Sequence, residues 1–581
     1  MVIIFCFIYG LLWLALVSGA GDGTWFLYSR EIFSGSAPFS VLDLKQQPLF
    51  FIITAIVDKM SFGYYLLQKL LYFPLIIFFL FSVFKVSTLC TSNGYLRSII
   101  IFFLFFSSTL FEGYRFDDYH VLAHSFVLFS LYISSLYLDK KLSFDKFTVY
   151  QALIFSLTFL TRINEGLCVL LSFSLIFIYS NKSWRELFKS ALTVALIFYT
   201  ILMSMLYLVC DTQLAWLKTS LLGATSSKGG SSLIEYPVKL LINTSNFFLN
   251  TNDIFLPKFL FLLIIVILIY FYLIKRFNNF IINFVFYIVL SYFVIYSLKH
   301  FYTPLLNIDL TPLSFFLAFV LAWVSLFWFF LSKIFIKKIP LFPPYLLLVI
   351  YPIFLFMLSS LSSGGRFDSL FFPASFSLLT LIIVFVRLDC KYSFALPVLV
   401  LLYSLCAFAG LEAISLRSHR PYGWHSYYSP RFFNGFKGYE VINDKNHGFF
   451  VAPKELQDLI KPVCSKVGQD KSLLSLPFSY ANFYCDIKPW KGYIQTFFDT
   501  SSSAFIDGLI INLKRSPPDY IFYQRQLDNM SAHENIFFGD RALPHRELDR
   551  LIMDYINSQK WKIVYRSALY APSDWILIQT N

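Results

Sequence analysis

The sequence predicts an α-helical polytopic membrane protein with a soluble α/β domain at its C-terminal end. Three observations carry that prediction. The 581 residues are 57% hydrophobic and only 14% charged, with a mean hydropathy of +0.65, outside the range of soluble globular chains. Apolar runs recur up to about residue 411 and then stop. Short basic clusters follow every second run, which is the pattern of loops held beside an anionic membrane face.

The runs lie near 2–20, 66–84, 98–111, 119–138, 147–161, 165–180, 190–210, 254–274, 279–298, 311–332, 341–359, 368–386 and 393–411. Taken as helices they give about thirteen crossings, some of them short for a full span. Phe (71) and Tyr (37) are heavily used, as suits lipid-facing and interfacial positions. The first run could pass for a signal peptide, because Val17-Ser18-Gly19-Ala20 loosely fits a cleavage site. It lacks a basic leading region, so a retained helix is expected.

Orientation follows from the basic residues. Lys85 and Arg97 follow run 2, Lys140, Lys141 and Lys146 follow run 4, and Lys182, Arg185 and Lys189 follow run 6. Lys275 and Arg276, then Lys333, Lys337 and Lys338, then Arg387 and Lys391 continue the series. These loops and the N-terminus are expected in the cytoplasm. The net charge of +13 is spread over these clusters, so no nucleic-acid partner is implied.

The opposite, exoplasmic loops hold a different population. The first begins at Asp22, the first ionisable side chain of the chain. A carboxylate at a membrane boundary is costly unless it faces a cavity or partner; the competing reading is a helix cap in a Gly-Asp-Gly turn. Trp25 to Phe33 is expected as a short amphipathic helix, broken by Gly35 to Pro38, and Pro48 opens a second apolar piece. Such helices lie in the interface rather than cross it. Later exoplasmic loops carry Glu112, Arg115, Asp117, Asp118 and His120, with His124 one turn on, then Arg162 and Glu165, and Arg366 in Gly-Gly-Arg-Phe-Asp. Glu112 and Glu165 are read as ordinary loop charges or caps.

Residues 1–414 form the expected membrane domain and 415–581 an exoplasmic α/β domain. In the latter, 472–476, 519–523, 562–565 and 575–579 read as strands, and 454–463 and 545–560 as helices, the second with Leu548, Leu551, Ile552, Tyr555 and Ile556 on one face. Three layers are the natural arrangement. Cys464 and Cys485 could form a disulfide worth about 3 kcal/mol, or remain two buried thiols. No Cys/His metal spacing occurs. His120 and His124 have a metal-compatible helical spacing, though packing or a hydrogen bond explains them as well.

Acids and cations converging at one membrane face suit group transfer from a lipid-linked phosphate. A carboxylate takes the proton of an acceptor hydroxyl while Arg and Lys stabilise the departing phosphate. A metal is not demanded, although Asp22, Asp117 and Asp118 could hold a divalent cation through oxygen.

These residues resemble a family. Asp22 after the first helix, the aromatic helix ending in Ser-Gly-Ser-Ala-Pro (34–38) and Pro48 look like the glycosyltransferase C superfamily. The nearest likeness is to bacterial members related to protein mannosyltransferases and to the lipid A aminoarabinose transferase. Arg-Phe-Asp-Asp-Tyr-His (115–120) sits where that superfamily has its second acidic motif, and Gly-Arg-Phe (365–367) where several members carry a cation. Ser-Pro-Pro-Asp-Tyr-Ile-Phe (516–522) is similar to their tail domains. The resemblance implies an inverting transferase that uses a polyprenyl-phosphate sugar at the outer face of the bacterial inner membrane. Its acceptor would be a glycan, lipid or protein. It implies Asp22 as catalytic base, Asp117 and Asp118 positioning the acceptor or a metal, and Arg366, Arg162 and Arg115 holding the donor phosphate. The sequence departs from the pattern in having Asp22-Gly23 where many relatives have an acidic pair. A transporter or flippase of lipid-linked sugars, or an O-antigen-type polymerase or ligase, would use a similar charged cavity. No clear internal repeat favours the transporter.

Overall fold

A computed structural model describes residues 1–15, 23–108, 116–180, 183–222, scattered positions between 347 and 383, 439–444, 447–498, 501–525, 527–535, 541–567 and 575–580. Asp22, Glu112, Arg115 and Arg366 lie outside the described residues, as do the domain boundary expected near 415 and the runs near 254–332 and 393–411.

The described part is mostly helical. The helices are α1 (Val2–Ala15), α2 (Thr24–Phe33), α3 (Pro48–Met60), α4 (Tyr65–Leu70), α5 (Phe73–Cys90), α6 (Gly94–Ser108), α7 (Tyr119–Leu138), α8 (Phe144–Phe159), α9 (Ile163–Tyr179) and α10 (Trp184–Leu208). Among the described residues, three helical stretches are long and apolar enough to cross a membrane: Tyr65–Cys90, Tyr119–Leu138 and Trp184–Leu208. The first joins α4 and α5. The expected helix at 25–33 and the piece opened by Pro48 are α2 and α3, with Pro48 in the first turn of α3, where its missing N–H costs nothing.

Polar residues fix several helix starts. Asp118 caps α7 by accepting from the His120 N–H at 2.8 Å. Ser183 and Glu186 form a reciprocal capping box on α10. Loops of a few residues join α5 to α6, α7 to α8, α8 to α9 and α9 to α10, so successive helices reverse direction. Lys85, Arg97, Lys140, Lys141, Lys146, Arg185 and Lys189 therefore share one end, where Lys189 pairs with Asp145 at 3.2 Å on the exposed surface. Lys69, Asp117, Asp118, Arg162 and Glu165 share the other.

Past the described helices come a hairpin of β1 (Tyr439–Asp444) and β2 (Gly448–Pro453), then α11 (Lys454–Val467), β3 (Leu473–Leu476), α12 (Tyr480–Tyr484), α13 (Ser503–Arg515), β4 (Tyr520–Gln524), α14 (Leu527–His533), α15 (Pro544–Asn557), β5 (Lys562–Ser567) and β6 (Trp575–Gln579). The four-stranded sheet runs β3-β4-β6-β5, with β3 and β4 parallel and the other pairs antiparallel. Both faces are covered. Leu474, Leu476, Ile521, Ile576 and Ile578 pack with Ile506, Leu509 and Leu513 of α13 and Leu548 and Ile552 of α15. On the other face Leu473, Phe522, Trp575 and Leu577 belong to a second cluster with Leu459 and Val463 of α11. This is the expected three-layer arrangement. The hairpin, α12, α13 and α14 were not anticipated from the sequence. Cys464 and Cys485 are joined in a disulfide.

His545, at the start of α15, is buried with Nε2 2.8 Å from the Thr496 carbonyl oxygen. Burial pushes its pKa down to about 4 from an ordinary 6.5. The unfolded chain then binds the extra proton, so this contribution to stability is complete above pH 6.5. It is lost as pH falls towards 4, by ~3 kcal/mol. Chemical denaturation of the full chain at pH 7.5 and pH 4.5 should show this loss, and a His545→Gln variant should not. An equal pH dependence in both would remove the assignment.

Candidate functional site

The buried ionic groups gather where α4, α7 and α9 present their ends to the α2–α3 segment. Lys69, the next-to-last residue of α4, is 1% exposed and makes an ion pair with Asp117, itself 8% exposed. Removing either charge from water is expensive, and each offsets part of that cost for the other. Two aromatic rings add to the cation's surroundings: Lys69 Nζ lies 5.3 Å from the Tyr65 ring centre and 5.9 Å from that of Phe26. Tyr72, just after α4, donates to Thr54 Oγ1 of α3 at 2.8 Å. Trp25 of α2 meets Phe50, Phe51 and Tyr119 edge-on.

Asp118 does not share Asp117's partner. Its carboxylate accepts from its own helix start and lies 2.5 Å from His120 Nδ1. Burial raises its pKa, but His120 and the nearby Arg162 guanidinium outweigh burial and hold it below the usual carboxylate range. Arg162, the cap residue of α9, pairs with Glu165 in the first turn of that helix. Glu165 is fully buried, with Oε1 3.9 Å from His124 Nε2. His124 in turn is 2.7 Å from Ser108 Oγ through Nδ1 and stacks on Phe372 at 3.9 Å.

The sequence-derived candidates thus fall into four groups. Asp117, Asp118 and Arg162 come to one end of the helices and interact there. Asp22, Arg115 and Arg366 lie outside the described residues. Glu165 lies in the first turn of α9, as the cap reading allows, but it is no ordinary loop charge, because it is fully buried and bound to the Arg162 guanidinium. His120 and His124 face Asp118 and Ser108 respectively, and among the described residues no group of three His, Cys, Asp or Glu forms a cation site.

Lys69 was missed altogether, although its signal was present. A lysine inside the apolar run 66–84 is costly in a membrane and marks a functional position. Glu165 opens the run 165–180 and carried the same signal.

Chemically, the cluster alternates two cations with three carboxylates in little water. Such a set can exchange internal partners for an anionic head group and a hydroxyl, and a guanidinium can serve a carboxylate and a phosphate oxygen together. No protein-family model and no curated protein matches this chain.

Proposed function

We propose that the chain is an inverting membrane glycosyltransferase that moves a sugar from a polyprenyl-phosphate donor to an acceptor hydroxyl. The observation that carries this reading is the placing of Lys69–Asp117, Asp118–His120 and Arg162–Glu165 together at the helix ends opposite the exposed basic loops. With those loops in the cytoplasm, the cluster and the C-terminal domain lie at the outer face of the cytoplasmic membrane. A polyprenyl chain brings its phosphate to that depth. The helix count of about thirteen and the division at residue 415 belong to the same reading.

In it, Asp22 takes the acceptor proton, Asp117 and Asp118 position the acceptor or a divalent cation, and Arg366, Arg162 and Arg115 hold the donor phosphate. The resemblance of Asp22, 34–38, 115–120 and 365–367 to the glycosyltransferase C superfamily supports these roles. An Arg366→Ala variant should need at least tenfold more lipid donor for half-maximal transfer, since a charge-assisted phosphate contact contributes about 1.5–3 kcal/mol. Titration of purified protein in nanodiscs with the donor measures it. An unchanged half-saturation would remove Arg366 from donor binding.

A further inference from the structure

The ion pair at Lys69 is covered by parts of the chain separated by some four hundred residues. Phe26 and Tyr65, whose rings flank the Lys69 ammonium, are themselves covered by Phe483 of α12. Phe483 stacks on Phe26 at 6.0 Å and lies 5.6 Å from Tyr65. The Arg30 guanidinium of α2 sits 5.3 Å from the same Phe483 ring. His447 holds Phe483 from behind, with Nε2 2.9 Å from its carbonyl oxygen and the rings stacked at 4.8 Å. The Tyr65 N–H donates to the His447 carbonyl at 2.9 Å, and Phe450 packs edge-on against Tyr65. Two further ties lie outside this stack: Lys488 reaches Glu31 of α2 at 3.6 Å, and Asp43 accepts from Ser502 N–H and O–H at 2.9 and 2.8 Å.

We propose that the C-terminal domain completes the site: Phe483 is a positioning residue that presses α2 and α4 onto Lys69 and keeps the Lys69–Asp117 pair dry. The start of α2 is built for this contact. Gly23 has φ +89, and a Cβ there would stand 2.4 Å from the Phe483 ring, so only glycine allows both the backbone turn and the close approach. The Cys464–Cys485 disulfide ties α11 to the residue that follows α12, which fixes the platform carrying Phe483. Because Gly23 directly follows Asp22, the same contact sets the chain leaving the proposed base. The catalytic consequence rests on the transferase reading; the docking itself does not.

The test is backbone hydrogen exchange on the full chain in lipid nanodiscs, comparing wild type, Phe483→Ala, Gly23→Ala and the double variant. Either single change should speed exchange of the α2 amides at least tenfold. In the Phe483→Ala background the Gly23→Ala change should add less than it does alone, since the ring it strikes is gone. Unchanged α2 exchange in Phe483→Ala, or effects that simply multiply in the double variant, would overturn the proposal. If Phe483→Ala also loosens β4 and β6, Gly23→Ala decides, because it leaves the domain's side chains intact. It should then speed α2 with the sheet unaltered, and unchanged α2 exchange would again overturn the proposal. Transfer measured on the same samples should fall at least tenfold in both single variants, with Phe483→Leu partly restoring it. Should the wild type transfer no sugar at all, the transferase reading fails while the exchange result still decides the docking.

Discussion

Replacing Lys69 by methionine is expected to destabilise the folded chain by about 3–5 kcal/mol, the usual consequence of stranding one member of a buried ion pair. Methionine fills much the same volume and keeps the packing on Tyr65 and Phe26, so the loss reports the Asp117 carboxylate left without its ammonium. Asp117→Leu should cost a similar amount for the converse reason. The two together should cost far less than their sum, because an apolar pair in a dry site carries no desolvation penalty. Denaturant titration of the nanodisc-embedded protein gives all three values. Single-variant losses below about 1 kcal/mol would mean that water reaches the pair and that the roof over it is open.

Transfer should respond most strongly to Asp22→Asn. Asparagine has nearly the same size and can still cap a helix, so the competing reading of Asp22 as a cap predicts little effect. A general base is different. The amide cannot take the acceptor proton, and loss of that step lowers turnover by about a hundred- to ten-thousand-fold. Folding should be almost unchanged, since Gly23 and the α2 start are untouched. Asp22 thereby separates from Lys69, whose replacement harms stability first and activity as a result.

Much of the architecture was legible because it rests on periodicity and on charge alternation. The first seven apolar runs coincide with helices, and Pro48 and Gly35 to Pro38 punctuate the first loop as their backbone restrictions require. The strands at 520–524, 562–567 and 575–579 were readable from their β-branched and aromatic residues, and that at 473–476 from its short apolar run. The β1–β2 hairpin and α13 were not read, although Ile506, Leu509, Ile510 and Leu513 of α13 carry the i, i+3, i+4, i+7 spacing of a buried helix face.

The site was only half legible. Asp117, Asp118 and Arg162 stood out as charges between apolar runs. Lys69 was absorbed into its run because hydropathy averages a single charge away, and Glu165, at the edge of a run, passed for a loop charge or cap, although the cost of such a charge is what makes it informative. The docking of Phe483 on Phe26 had no local signal at all. Contacts between residues so distant in the chain leave no trace in spacing, and Gly23 beside Asp22 looked like an ordinary turn glycine.

The central claim is best tested by a transfer assay with the purified chain in lipid, comparing wild type and Asp22→Asn across radiolabelled polyprenyl-phosphate sugars. Release of polyprenyl phosphate together with labelled product by the wild type, and not by Asp22→Asn, is the expected result. Equal donor binding by both proteins with no turnover of any donor would contradict it, and would make the chain a carrier of lipid-linked sugars instead.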